Sequence, residues 1–253
     1  MTVPAPRNPF LPSVEDDTDD ALPVFCLPQA GAGASTYRSW PTALGPGLRV
    51  RPVQLPGREN LFSRPMPSDA AELVRMLRAE LADELDRPHV LFGHSMGGFL
   101  AAEMAAAAHR DGTRQPELLV VSGWSEAEGR GPLAEGPDLA RLPDEEVLRT
   151  WLPPGPSTDL VVRTPELREI VLEILRADLE LCVSYRPSFD LLRVPVLAVG
   201  GEDDPLCTVD GLRGWARRTD VRCRVCLWPG GHTVTEERVT AIGDAIRAEL
   251  DRR

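Results

Sequence analysis

The stretch VLFGHSMGGFLAAEMA, residues 90–105, places a serine at a corner between two kinds of secondary structure. Its apolar start is typical of a buried strand, and its alanine-rich end is typical of a helix. Gly93 and Gly97 flank Ser95 in the pattern G-x-S-x-G, which leaves room for a sharp strand-to-helix turn. We therefore predict that Ser95 has a strained backbone and presents its hydroxyl as a nucleophile, the plain alternative being a serine in an ordinary turn.

A serine hydroxyl is a poor nucleophile until a base removes its proton, and the chain offers four histidines for that task. His94 adjoins Ser95, and the side chains of adjacent residues diverge. His89 lies at the start of the preceding strand and His109 about three turns along the following helix, so these three are interpreted as structural or surface residues. His232 follows a Pro-Gly-Gly turn after a predicted strand, where a side chain can overhang the carboxyl ends of the strands, and we predict that it is the catalytic base.

An acidic residue is expected to orient the imidazole. In hydrolases with this serine turn, it lies between the serine and the histidine in chain order. The segment GGEDDP, residues 200–205, leaves a predicted strand and supplies such residues. We predict Asp204, which adjoins the proline, as the catalytic acid and keep Asp203 as the alternative. A solvated acidic loop would be the plain interpretation.

An oxyanion at the reacting carbonyl requires two backbone N–H donors. The first is expected from Met96, the residue after the serine, at the positive end of a helix dipole. The second is expected from the loop in CLPQAGAGAST, residues 26–36, whose small residues allow close approach of the backbone, and Ala30 is the predicted donor. A phosphate-binding interpretation of this glycine-rich loop is weak, because no G-x-G-x-x-G pattern follows.

Apolar runs alternate with helical segments along the chain, which predicts a doubly wound, mostly parallel α/β sheet. The predicted strands are residues 22–27, 48–54, 89–93, 118–122, 194–200 and 222–228. The predicted core helices are residues 36–44, 68–85, 96–110, 209–217 and 234–250. Residues 125–193 contain no convincing strand but helical patches at 144–151 and 165–184, so we predict a helical lid inserted into a core of residues 21–124 and 194–253. Residues 1–20 are proline-rich and acidic and are expected to be a disordered leader.

Composition excludes several classes of function. The net charge is −11 and all 28 basic residues are arginine, which disfavours a nucleic-acid partner. No apolar run approaches a membrane span and no secretion signal is evident, so we expect a cytoplasmic protein. The five cysteines suit reduced thiols; Cys223 and Cys226 form a C-x-x-C, but on a strand they would face opposite sides, so no metal site is predicted.

Several motifs together resemble the type II thioesterases, the stand-alone editing enzymes of polyketide and nonribosomal peptide assembly lines. They are LPQAGAGAST…W at residues 27–40, QLPGRE at 54–59, LFGHSMGG at 91–98, VSG at 121–123, GGEDDP at 200–205 and PGGH at 229–232. The resemblance spans about residues 22–250 and implies an α/β-hydrolase fold with a lid. It implies Ser95 as nucleophile, Asp204 as acid and His232 as base, with the Ala30 and Met96 amides as oxyanion donors.

The chain departs from the family pattern at four positions, three of which would border the acyl pocket. Gln29 and the pair Thr233-Val234 stand where bulky or aromatic residues are usual, and Gly98 stands where alanine is frequent. Arg58 and Glu59 of the PGRE motif would either anchor the nearby loop or pair with each other. The acyl-chain preference of the family therefore does not transfer to this chain.

The resemblance also implies a substrate and a partner. The substrate would be an acyl thioester on the phosphopantetheine arm of an acyl or peptidyl carrier protein, hydrolysed without metal or bound cofactor by an enzyme expected to be a monomer. A carboxylesterase or lipase acting on free esters, a product-releasing thioesterase and an inactive binding module are the alternatives. Because the chain is acidic, carrier docking would use apolar contacts or arginines such as Arg163, Arg168 and Arg176, which could equally be solvated.

Overall fold

A computed structural model describes residues 8–12, 20–125, 142–152 and 155–252 of the chain. Within these residues, six strands pair in one parallel sheet in the order β2-β1-β3-β4-β5-β6. The strands are β1 (Leu22–Leu27), β2 (Leu48–Pro52), β3 (Val90–His94), β4 (Leu118–Ser122), β5 (Val196–Gly201) and β6 (Cys223–Trp228). The predicted parallel α/β fold is thus confirmed. The strand order reverses between β1 and β3, and in such sheets the carboxyl ends at that point form the ligand-binding crevice.

Helices cover both faces of the sheet. They are α1 (Trp40–Leu44), α2 (Ala70–Glu80), α3 (Ala82–Leu85), α4 (Met96–Arg110), α5 (Asp144–Trp151), α6 (Pro156–Arg163), α7 (Pro165–Ser184), α8 (Val209–Arg213) and α9 (Glu236–Leu250). One buried cluster joins α2, α4 and α7 to the sheet, and a second joins α1 and α9 to its other face. Because helices cover both faces, the central strands β3, β4 and β5 are buried along their whole length and are mostly apolar.

Several predicted boundaries shift for local reasons. Strand β2 ends at Pro52, which has no N–H for the strand ladder, rather than at residue 54. The predicted helix 36–44 is a 3-10 turn at Ala34–Tyr37 followed by α1, whose first turn contains Pro41. Helix α9 begins at Glu236 instead of residue 234, because the Thr235 side chain caps it by accepting the Arg238 amide.

The segment between β4 and β5 contains helices α5, α6 and α7 in its described part. Helix α6 was not predicted, because its short sequence follows two prolines and reads as a loop. The residues that follow α7 are anchored to α4, where Glu103 accepts hydrogen bonds from the Tyr185 hydroxyl at 3.0 Å and the Ser188 amide at 2.8 Å. The first half of α7 is largely exposed. Opening of this segment as a lid stays a prediction.

Residues 8–12 differ from the expectation of a disordered leader. Phe10 is fully buried in the main core cluster, and its backbone carbonyl accepts the Gln54 amide at 2.9 Å. The Asn8 side chain also donates to the Glu80 carbonyl at 2.7 Å. The buried Phe10 and Leu11 therefore fasten part of the leader to the domain. The rest of residues 1–20, apart from Asp20, lies outside the described residues.

No helix in the described ranges is both long and apolar enough to cross a membrane. Cys223 packs with one core cluster and Cys226 with the other, so the two side chains lie on opposite faces of β6 as expected for a strand. In the part of the chain that is described, no group of three or more histidine, cysteine or acidic side chains could hold a metal ion.

Candidate active site

Ser95 lies at a strained corner between β3 and α4. Its φ of 54° and ψ of −120° are unusual for a residue with a side chain, and its amide donates to the Ser122 carbonyl at 2.7 Å. A Cβ on Gly93 would lie 1.9 Å from the Gly97 carbonyl oxygen, and one on Gly97 would lie 2.1 Å from that of Leu27. The glycines are thus required by the close approach of backbone on both sides of the serine.

His232 and Asp204 form a hydrogen-bonded pair at the carboxyl end of the sheet. The His232 Nδ1 atom lies 2.8 Å from Asp204 Oδ2, and the carboxylate is nearly inaccessible, with 1% of the side chain exposed. The other carboxylate oxygen accepts the amides of Leu206 at 2.8 Å and Cys207 at 3.2 Å. With Nδ1–H donating to Asp204, Nε2 of His232 is free to accept a proton. Asp203, the alternative acid, has an exposed side chain.

Ser95 and His232 both border the turn that follows β4. Ser95 is bonded to the Ser122 carbonyl, and a Cβ on the adjacent Gly123 would lie 3.1 Å from Cε1 of His232. Gly123 itself has φ of 63°. Gly123 of the VSG motif has no side chain, and this leaves room for the His232 ring near Ser95.

The loop that carries His232 is held by Arg238, a residue that the sequence analysis did not single out. Its guanidinium is buried and donates to three carbonyl oxygens, those of Pro229 at 2.9 Å, Gly231 at 2.8 Å and Thr233 at 3.0 Å. An arginine in the first turn of an amphipathic helix gives no sequence signal for such a role, because its partners are backbone atoms.

His94, predicted from the sequence to be a structural or surface residue, lies close to the site. Its ring is buried, its Nδ1 lies 3.1 Å from Ser122 Oγ, and its ring centroid lies 4.9 Å from that of His232. Burial, and then the adjacent His232, lower the pKa of His94 well below the usual 6.5, so the ring is neutral at physiological pH. His89 is buried at the other end of β3 and His109 is exposed on α4, as structural or surface residues.

The predicted oxyanion donors follow β1 and β3, the two strands between which the strand order reverses. Ala30 follows β1 and Met96 opens α4, and in the described ranges neither amide donates to a protein acceptor. Amides without a protein acceptor are what a developing oxyanion would require.

The QLPGRE motif braces the loop that contains Ala30. The Gln54 side chain accepts the Ala34 amide at 3.1 Å, and Glu59 accepts the Ser35 hydroxyl at 2.6 Å. Arg58 does not pair with Glu59 but with Asp178 of α7. These contacts agree with anchoring of the nearby loop and not with a pair between Arg58 and Glu59.

A cavity of about 340 Å³ opens beside His232 and His94. Gln29, Thr233 and Val234, three of the four departures from the family pattern, line it together with Trp40, Trp151 and Leu206. Gly98 lies instead under the elbow, against Trp124 and Val121. Three of the four departures therefore border the cavity next to His232.

A parallel α/β sheet with a strained serine after its third strand and a histidine–aspartate pair at the carboxyl edge defines a serine hydrolase of the α/β-hydrolase class. The chain belongs to the thioesterase family, because the family described as Thioesterase domain matches residues 22–250.

Individual relatives agree with this family. The gramicidin S biosynthesis protein GrsT of Aneurinibacillus migulanus is 30% identical over 233 residues, which are 92% of this chain and 90% of GrsT. The structure of the type II thioesterase BorB from the borrelidin biosynthetic cluster matches with a TM-score of 0.76 and 31% identity, over 94% of this chain and 95% of BorB. The RedJ thioesterase of the prodiginine pathway in Streptomyces coelicolor matches with a TM-score of 0.80 and 28% identity, over 98% and 96% of the two chains. The resemblance to type II thioesterases is thus confirmed.

Proposed function

We propose that this chain hydrolyses acyl groups from the phosphopantetheine arms of acyl or peptidyl carrier proteins in polyketide or nonribosomal peptide biosynthesis. The observation that supports this most directly is the His232–Asp204 pair beside the strained Ser95 in a member of the thioesterase family. Relatives named for biosynthetic pathways, GrsT for gramicidin S and RedJ for prodiginine, support the substrate class.

The first half of the proposed reaction forms an acyl-enzyme. Nε2 of His232 takes the Ser95 proton while Oγ attacks the thioester carbonyl, and the amides of Ala30 and Met96 stabilise the tetrahedral oxyanion. Collapse breaks the C–S bond, and the carrier thiolate leaves and takes the proton from His232. A thiolate is a good leaving group, so this step needs less acid assistance than amide cleavage.

The second half releases the acyl group as a free acid. A water molecule loses a proton to His232 and attacks the Ser95 ester, and collapse of the second tetrahedral intermediate returns that proton to Ser95 Oγ. Asp204 keeps the imidazole in the tautomer that accepts protons at Nε2 and stabilises its positive charge. Each step uses protein groups and water, so we propose that no cofactor takes part.

Arginines around α6 and α7 bear on the carrier partner. Arg176 is held by Asp144 at 2.7 Å and by the Leu142 carbonyl, so its charge is engaged within the protein. Arg163 and Arg168 have exposed side chains. Contact of these two with a carrier stays a proposal, as do a monomeric state and a cytoplasmic location.

Kinetics with matched substrates test the proposed function. One acyl group is presented as the carrier thioester, the N-acetylcysteamine thioester and the p-nitrophenyl ester. We expect kcat/KM to be at least about tenfold higher for the carrier than for either small substrate, because remote contacts contribute binding energy. Ser95→Ala should abolish all three activities.

A higher kcat/KM for the free ester than for the carrier thioester would support a carboxylesterase and contradict the proposal. Release of a cyclic product would support a product-releasing thioesterase instead. Binding of the carrier without turnover would support a binding module.

A further inference from the structure

Arg58 and Asp178 form a buried, bidentate ion pair between the PGRE loop and α7. The Nη1–Oδ2 distance is 2.5 Å and the Nη2–Oδ1 distance is 2.7 Å. The Arg58 and Asp178 side chains are 4% and 0% exposed. The two residues are 120 positions apart in the chain. Neither residue has a chemical role in the proposed reaction.

The pair holds the backbone on the C-terminal side of Ala30. Asp178 Oδ2 accepts the Gly31 amide at 2.8 Å, and Arg58 Nη1 donates to the Ala32 carbonyl at 3.2 Å. Gly31 has φ of 77°, and a Cβ there would lie 3.1 Å from Leu175 on the same face of α7. Asp178 thus holds Gly31 and Arg58 holds Ala32, the two residues that follow the proposed oxyanion donor.

Arg58 is itself fixed on its other side. Its Nε donates to the Pro56 carbonyl at 3.2 Å, and its own carbonyl accepts the Gln54 side chain at 3.2 Å. The Arg58 guanidinium therefore connects three parts of the chain: the loop after β2, the loop after β1, and helix α7.

Stability alone does not explain this arrangement. Two charges removed from water lose much of their hydration, and apolar residues of similar volume often serve a fold as well or better. What apolar residues cannot supply is an acceptor for the Gly31 amide and a donor to the Ala32 carbonyl. We propose that Arg58 and Asp178 are positioning residues that hold the Ala30 amide where the oxyanion forms, and that α7 thereby sets the geometry of the oxyanion loop. This inference rests on the proposed function.

A double variant separates positioning from stability. Arg58→Met combined with Asp178→Leu replaces the pair by apolar side chains of similar size and removes both loop contacts. We expect a melting temperature within a few degrees of wild type, kcat for the carrier thioester lowered by about 100-fold, and KM changed by less than about threefold.

The matched control is Tyr185→Phe, which removes a hydrogen bond to Glu103 at the residue that follows α7, away from the Gly31 contact. It should leave kcat within about twofold of wild type. If the double variant does not fold, Asp178→Asn is measured in its place, since it keeps an oxygen for the Gly31 amide but loses the ionic pairing. Its kcat should fall at least tenfold without a matching change in KM.

Inhibitor binding gives a readout that a structural role would not move. An acyl trifluoromethyl ketone on the pantetheine arm forms an oxyanion with Ser95, whereas the corresponding amide does not react. The variant should bind the ketone about 100-fold more weakly than wild type does and the amide equally well. A variant with wild-type kcat, or one that binds the ketone and the amide with equally weakened affinity, would overturn the positioning role. Because this ratio needs no turnover, it is informative even if wild type fails to hydrolyse carrier thioesters, a result that would refute the proposed function separately.

Discussion

At the scale of single residues, Asp203 and Asp204 show how burial assigns different roles to neighbours of the same type. Asp204 is buried, bonded to two amides and bonded to His232, whereas the Asp203 side chain is exposed. A carboxylate fixed by backbone donors can orient an imidazole, and a freely solvated one cannot. Substitution of each aspartate in turn therefore compares a buried carboxylate with an exposed one in the same loop.

We expect Asp204→Asn to lower kcat on a carrier thioester by about 10³-fold or more, because an amide NH₂ in place of Oδ2 would favour the wrong tautomer of His232. Asp203→Asn should change kcat by less than about twofold, because its side chain is exposed. Steady-state kinetics on both variants provide the measurement. Equal losses in the two would contradict the assignment of Asp204.

The buried His94 makes stability depend on pH. Its pKa is lowered in the folded protein by burial and by His232, so the unfolded chain binds a proton that the folded protein excludes. Stability should fall as pH drops below about 6.5, by at most about 1.4 kcal/mol per pH unit from this residue. His89, whose pKa is also lowered by burial, acts in the same direction.

Urea denaturation between pH 7.5 and 5.5 measures this effect. His94→Asn should flatten the pH dependence of the free energy of unfolding, and the exposed His109→Asn should leave it unchanged. Identical slopes for wild type and His94→Asn would show that His94 is not a neutral buried group.

At the scale of elements, the turn from β3 into α4 depends on how closely three backbone segments approach. Gly97 faces the Leu27 carbonyl of β1, whereas Gly98 faces the side chains of Trp124 and Val121. A contact of 2.1 Å with backbone inside the sheet cannot be relieved, whereas contacts of 3.0 and 3.1 Å require the neighbouring atoms to give by only a few tenths of an ångström. The two adjacent glycines should therefore differ in tolerance.

Gly97→Ala should lower the free energy of unfolding by about 3 kcal/mol or more, since its Cβ would overlap the Leu27 oxygen. Gly98→Ala should change it by less than about 1 kcal/mol, because the better helix propensity of alanine offsets mild crowding. Chemical denaturation of both variants is the measurement. A Gly98→Ala cost as large as that of Gly97→Ala would contradict this description of the elbow.

How much could be predicted from sequence differs between local and long-range features. The Ser95 elbow and helices α4, α5 and α7 were predictable, because a few adjacent residues determine them. The hydrogen bonds of Asp178 to Arg58 and Gly31 join residues 120 and 147 positions apart. No local pattern marks Asp178, one acidic residue among many on an amphipathic helix, so its role became visible only in the folded chain.

At the scale of the whole molecule, the candidate site is assembled from loops at one edge of the sheet. Ala30, Ser95, Asp204 and His232 follow β1, β3, β5 and β6, which all point the same way because the sheet is parallel. Chain order and strand direction were enough to predict that these loops meet. The shape of the cavity was not predictable, because Trp40, Trp151 and Val234 come from three separate segments.

The central claim is that the acyl group passes from a carrier thiol through Ser95 to water. Rapid mixing with an acyl-loaded carrier, acid quenching and mass spectrometry of the peptide containing Ser95 test it most directly. We predict a transient adduct of the mass of the acyl group on Ser95, followed by free acid, and neither with Ser95→Ala. Acid release at the wild-type rate from Ser95→Ala, or an adduct on another residue only, would contradict the account.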